Sequence, residues 1–275
     1  MKNFCKLLSI LLVLLSLAAC GDDKKTTNEV PGGGGTPTLQ TITQFKISDL
    51  SGVTLEPGDV PETKSEAIDD LNQALTALED KGLFSGVGSL SAAEKMYAES
   101  IRAFSVVYDE TFDYRLEDYF EDYESEGLSN FHGRIWGRIK EEENPFKGLL
   151  NYNYEISGVY DSDNDDYAAY YYDADEYVHA KFNSKGYVGL NADNQKYVID
   201  MNVAYSYAVA YSNDRISAKF ILNFGMAASL TEDSYGNASF NSTPVYYGTL
   251  TVYDYTGNKV KDYTLSENDL GDFLF

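Results

Sequence analysis

Between positions 197 and 211 every second residue is aromatic or aliphatic: Tyr197, Ile199, Met201, Val203, Tyr205, Tyr207, Val209 and Tyr211. A strict period of two over so long a run places one set of side chains on one face of an extended chain. On a helix the same sequence would scatter its apolar residues around the whole circumference, so this feature restricts the fold more than any other. The pattern recurs. Ile216, Ala218, Phe220, Leu222 and Phe224 form one such set. Leu150, Tyr152, Tyr154 and Ile156 form another, with Asn151, Asn153 and Glu155 sharing the opposite face. Weaker strands cover about 132–140, 167–182 and 245–255, and Thr256-Gly257-Asn258-Lys259 has the chemistry of a hairpin turn leading into 259–265. Alternating runs joined by short polar links predict an antiparallel β-meander of roughly six to eight strands with one buried face, rolled into a curved sheet or partial barrel.

Upstream the period lengthens to that of a helix. Ala67, Ile68, Leu71, Ala74, Leu75 and Leu78 make one stripe, with Thr63 and Glu66 spaced as a capping box, so a helix is expected over about 65–81. A second is expected over about 91–124. It would be capped by Ser91 and Glu94 and carry Tyr97, Ile101, Phe104, Tyr108, Leu116, Tyr119, Phe120 and Tyr123 on its apolar side. The stretch ITQFKI at 42–47 reads as one short strand. The expected fold class is therefore α+β: an N-terminal helical pair followed by the β-meander, in a single domain over 41–275.

The first twenty residues are of a different kind. Lys2 and Lys6 precede an apolar run from Leu7 to Leu17 that is too short to span a bilayer comfortably and has the length of a signal-peptide core. The stretch Leu17-Ala18-Ala19-Cys20 resembles the lipobox of bacterial lipoproteins. That resemblance implies removal of residues 1–19 as a signal peptide and acylation of Cys20, with palmitate among the chains. Two or three acyl chains hold a protein firmly to a membrane, since each buried methylene contributes about 0.8 kcal/mol. The expected partner is thus a membrane, reached through an N-terminal lipid anchor in the bacterial cell envelope. Gly21 departs from the usual inner-membrane retention pattern, so the outer membrane is favoured over the inner, with the leaflet open. Residues 20–40, rich in Gly, Thr and Pro, read as a flexible tether with a reach of roughly 25 Å.

Charge and motif content narrow the remaining functions. Asp and Glu number 44 against 21 Lys and Arg, a net charge of −23. Nucleic acid is excluded as a partner because phosphate contacts need basic residues. The only other cysteine, Cys5, leaves with the signal peptide, so the exported domain holds together without disulfides. No G-x-S-x-G, H-E-x-x-H, C-x-x-C or P-loop is present, and the two histidines, His132 and His179, lie far apart in sequence. The acids Glu117, Asp118, Glu121, Asp122 and Glu124 read as the wet face of a helix. No catalytic residue, cofactor or metal is therefore assigned, and a noncatalytic binding or interaction domain is expected.

Two constellations remain. In DSDNDD, Asp161, Asp163 and Asp165 match the first alternating ligands of a calcium loop, but Asp166 stands where glycine makes the turn and Tyr172 where a bidentate glutamate is needed. A solvated hairpin loop is the expected reading. Tyrosine is abundant, at 24 residues, and Trp136, Tyr167, Tyr170, Tyr171, Tyr172 and Tyr177 form a candidate aromatic contact surface. Such a surface suits either a small apolar or glycan ligand, cupped in the curved sheet, or a protein partner met by an adhesin-like component of an envelope assembly. A transmembrane β-barrel ending at Phe275 is disfavoured by the helices and by tyrosines that form no girdles.

Overall fold

A computed structural model describes residues 39–80, 108–119, 126–141, 148–165, 176–193, 196–233, 238–266 and 269. Among these residues nine strands make one antiparallel sheet: β1 (Tyr108–Arg115), β2 (Glu126–Glu141), β3 (Gly148–Asp165), β4 (Tyr177–Asp193), β5 (Lys196–Ser212), β6 (Ser217–Asp233), β7 (Ala238–Phe240), β8 (Val245–Asp254) and β9 (Lys259–Thr264). Strand order follows the chain from β1 to β6 and continues through β8 to β9, while the short β7 also pairs with β6. β1 and β9 do not pair with each other, so the sheet is curled and open rather than closed.

Near-continuous register keeps each apolar set on one face. Ile135, Tyr154, Phe182, Tyr205, Tyr207, Phe220 and Phe224 are buried together on what is called here the inner face. The helix α1 (Lys64–Asp80) lays Ala67, Ile68, Leu71, Ala74 and Leu75 on that face. A fully buried Leu or Ile of this kind contributes about 1.5–3 kcal/mol. The tyrosine hydroxyls are accommodated within the core. Tyr154 Oη donates to Tyr205 Oη at 2.9 Å, and burial pushes the Tyr154 hydroxyl well above the usual phenol range. The ring lies over Gly186, its register partner on β4, where a Cβ would meet a ring carbon at 2.3 Å. Only glycine allows that approach.

The N-terminal segment 39–60 runs as a strap over the opposite, outer face. There β5 presents Asn202, Ala204, Ser206, Ala208 and Ala210, small residues on which a chain can lie close. Leu50, at the end of a single 3-10 turn (Ile47–Leu50), and Leu55 bury against Ala208, Ala210 and Ile221. The strap's backbone is satisfied largely by side chains of the sheet rather than by strand pairing. Phe45 N–H donates to Ser206 Oγ at 2.8 Å, Lys219 Nζ donates to Val53 O at 2.7 Å, and Ser217 Oγ donates to Glu56 O at 2.6 Å. At Asp59 the chain forms a bridge with Ile216, rounds the turn between β5 and β6, and enters α1 on the inner face.

The first expected helix is present with its cap. Glu66 N–H donates to Thr63 Oγ1 at 3.2 Å, while Thr63 N–H donates back to Glu66 Oε2 at 3.1 Å. The second, over 91–124, is corrected. Residues 91–107 lie outside the described set, but 108–115 form β1 and 116–119 a single 3-10 turn. Among the described residues the expected helical pair is thus a single helix. Tyr108–Arg115 also carries a period of two, with Phe112 and Tyr114 packed against the core and stacked at 5.6 Å, and pairing along all of β1 overrides the helical spacing. ITQFKI forms no strand, because it belongs to the strap. β2 starts at Glu126, before the expected 132, and β3 extends to Asp165.

Candidate functional site

The outer face of β1 to β4, beside the strap, is polar and cross-linked by charge. Register aligns Arg115, Arg134, Glu155 and Lys185 in one row across the four strands. Arg134 reaches diagonally to Asp113 in a two-point clasp of 2.8 and 2.6 Å, and Arg138 holds Asp109 in the same way at 2.8 and 2.7 Å. These guanidinium bonds keep both carboxyls below the usual aspartate range. Lys185 Nζ donates to Glu155 Oε1 at 2.5 Å. Arg115 has no ion-pair partner among the described residues.

The next row is His132, Ser157 and Asn183. Glu117 Oε1 lies 3.3 Å from His132 Nδ1 and accepts the Gly133 N–H at 3.2 Å. Asn183 Nδ2 donates to Thr43 O at 3.1 Å, which ties the row to the strap. Between strap residues 41–43 and these two rows opens a groove of about 920 Å³. Its size falls within the usual range for small-ligand sites, although its walls are more polar than most.

On the other side of the charged row lie Asp113, Trp136, Asn153, Tyr187 and Asn202, again aligned by register. The Arg134 guanidinium sits 4.7 Å above the Trp136 ring. Tyr187 leans along its own strand over Gly189, where a Cβ would meet the tyrosine hydroxyl at 2.5 Å. Burial, with a smaller effect of Asp200, raises the Tyr187 hydroxyl. Asn202 Oδ1 accepts the Gln40 N–H at 2.9 Å, so the strap bounds this row as well.

Of the expected aromatic surface, Trp136 lies beside the groove and Tyr177 does not. Tyr177 is ten positions along β4 from Tyr187, roughly 33 Å away, where it packs with Phe45, Ile47 and Tyr253 around the strap. Trp136 and Tyr177 thus share the outer face but lie at separate places along it. Tyr167, Tyr170, Tyr171 and Tyr172 lie outside the described residues, as does Cys20.

The three aspartates of the calcium motif do not converge. Residues 161–165 continue β3 instead of leaving it as a loop. Asp161 Oδ2 lies 3.0 Å from His179 Nδ1, while Asp165 is buried and accepts the Tyr160 hydroxyl at 3.0 Å. Among the described residues no group of three His, Cys, Asp or Glu side chains is placed to hold a metal.

Sequence reasoning did not single out Arg134, Lys185 or Tyr187. The spacing of Tyr187 and Gly189, two apart on a strand, was a readable signal, because it leaves the ring a bare surface to lie on. Asn153 and Glu155 were visible as the polar face of β3. What no local pattern contained was the register that aligns these residues with β2 and β4.

Compared with protein-family models, curated proteins and solved structures, the chain matches none of them. No helix among the described residues is long and apolar enough to cross a membrane.

Proposed function

We propose that the protein is a lipid-anchored component of the bacterial cell envelope carrying a noncatalytic binding domain, with its ligand site in the outer-face groove. The observation that carries this reading is the groove itself, a space of about 920 Å³ with one wall made by the strap and the other by a fixed set of ion pairs. The inner face offers less to a ligand: α1 and buried aromatic rings occupy it. The lipobox at 17–20 supports anchorage through Cys20, with the outer membrane favoured over the inner, and residues 20–40 would tether the domain.

The rival, a tyrosine-bearing face for a protein partner, has thinner support among the described residues. The large apolar side chains exposed there, Phe240, Tyr246 and Val260, are few, and scattered exposure of this kind is ordinary for a folded surface.

The test uses the full chain, produced in a bacterium that processes lipoproteins and extracted in detergent. A palmitate analogue labels the wild type and not Cys20→Ser, and native mass spectrometry of the extract shows a noncovalent adduct that Lys185→Ala diminishes. An unlabelled wild type sinks the anchor. Identical, adduct-free spectra, together with unchanged hydrogen exchange at 132–134 and 183–185 on adding envelope extract, sink the groove.

A further inference from the structure

We infer that the ligand of this groove is a sugar acid, a monocarboxylate whose remaining polar groups are neutral hydroxyls, with its carboxylate seated on Arg115; the inference rests on the groove being the binding site. Across the chain acids outnumber bases by 44 to 21, yet Asp113, Glu117 and Glu155 line the groove against Arg115, Arg134 and Lys185. The negative field of the protein is therefore offset locally, which lets an anion approach. Within this set every group but one is already engaged or out of reach. Arg134 holds both oxygens of Asp113, and Lys185 holds Glu155. Glu117 Oε1 accepts the Gly133 N–H and faces His132, while its Oε2 is buried out of a ligand's reach. Arg115 is left over, exposed at the end of β1, with no protein partner for its guanidinium among the described residues.

One free cation sets the charge of the ligand. A neutral molecule closing over Arg115 would strip water from an unpaired charge without replacing it. A phosphate dianion calls for a second free cation, and an amino acid for a free carboxylate. Among the described residues the groove offers neither. A carboxylate answers a guanidinium with two parallel hydrogen bonds. The body of the ligand is set by hydroxyls. Thr41 and Thr43 of the strap and Ser157 of β3 line the groove, and none commits its hydroxyl to a protein group among the described residues. Each both donates and accepts, as a sugar hydroxyl does. Ser157 stands two strands from Arg115 and one row on, roughly 10 Å across the sheet, so a short sugar chain reaches both.

The experiment is isothermal titration calorimetry of the detergent-solubilised full chain with glucuronate, galacturonate, lactobionate and sialyllactose. Glucose, galactose and lactose are the neutral comparisons, and glucose 6-phosphate is the dianion. At least one sugar acid binds, its neutral counterpart binds at least tenfold more weakly, and added salt weakens the sugar acid. Arg115→Gln lowers that affinity tenfold or more, the loss of a charge-assisted pair. Arg115→Lys keeps the charge without the fork and recovers part of the loss, which a misfolded variant would not do. Arg138→Gln, outside the groove lining, leaves the affinity unchanged. Equal binding of the neutral sugars, tighter binding of glucose 6-phosphate, an unaffected Arg115→Gln or no binding at all overturns the sugar acid. If none of these compounds binds yet the mass-spectrometric adduct still depends on Lys185, the groove stands with a ligand of another class; if the adduct is missing too, the groove falls with it.

Discussion

Asp70 on α1 and Arg215 in the turn between β5 and β6 form an ion pair with two unlike ends: the Asp70 side chain is 1% exposed and that of Arg215 57%. Burial raises the Asp70 carboxyl above its ordinary range, outweighing the nearby guanidinium. Removing the exposed partner therefore costs more than neutralising the buried one. Arg215→Ala is expected to destabilise by at least about 2 kcal/mol, because it strands a buried carboxylate. Asp70→Asn should change stability by less than about 1 kcal/mol, since its carbonyl oxygen still accepts from Arg215. Chemical denaturation of the two variants and the double mutant checks the order, and equal losses in both single variants would contradict it.

The same pair sets one pH dependence, and Asp254 sets an opposite one. The native state keeps the Asp70 proton where the unfolded chain has lost it, so this residue makes stability fall as pH rises from about 4 through its raised native value. Asp254 Oδ1 accepts from Thr256 N–H at 2.9 Å, Thr256 Oγ1 at 2.6 Å and Asn258 N–H at 2.9 Å, and these bonds hold its carboxyl below the ordinary range. Its contribution is complete above about pH 4 and is lost as pH falls through the depressed native value. Thermal melts of Asp254→Asn should lie below wild type at neutral pH, and the gap should narrow as pH falls below about 4. Melting curves of Asp70→Asn should show a weaker decline than wild type above pH 4.

Gly186→Ala is expected to cost about 1–3 kcal/mol, because the new methyl meets the Tyr154 ring inside a packed core. Gly52→Ala, where nothing lies within 4 Å of the added atom, is the control and should be close to neutral. Equal melting temperatures for the two variants would show that the Tyr154 ring can move aside.

Ser206 is fully buried and serves two partners. It accepts from Phe45 N–H and donates to Asn223 Oδ1 at 2.6 Å. Ser206→Ala leaves both without it, at a cost of about 1–3 kcal/mol. The loss falls on the strap, so limited proteolysis should cut within 39–60 sooner in the variant while cleavage of the sheet is unchanged.

The sheet was legible because the inner face repeats Tyr, Phe and Ile at every second position, a signal carried within each strand. Helix α1 was legible through Thr63 and Glu66. Two elements were not. Tyr108–Arg115 fits both a helical and an extended spacing, and the choice is made by β2, to which Arg134 and Arg138 clasp Asp113 and Asp109. The strap carries no period, because its hydrogen bonds go to side chains such as Ser206 and Lys219 more than 150 residues away. The groove inherits that difficulty: Glu155 stood out, but its neighbours in the groove come from three other strands and the strap. Trp136 was singled out for its ring, whereas its place beside Arg134 and Asp113 needed the register.

The strap also determines where a pull is felt. If Cys20 is fixed in a membrane, tension travelling along the tether arrives first at Gln40 and then, bond by bond, at Thr43, Phe45, Val53 and Glu56. Bonds loaded one after another yield at lower force than bonds loaded together, so a pull that meets them in this order would draw out the strap ahead of the paired strands. Drawn out fully, residues 39–60 span up to roughly 70 Å. An anchored copy tugged in that direction would lengthen before its sheet gave way.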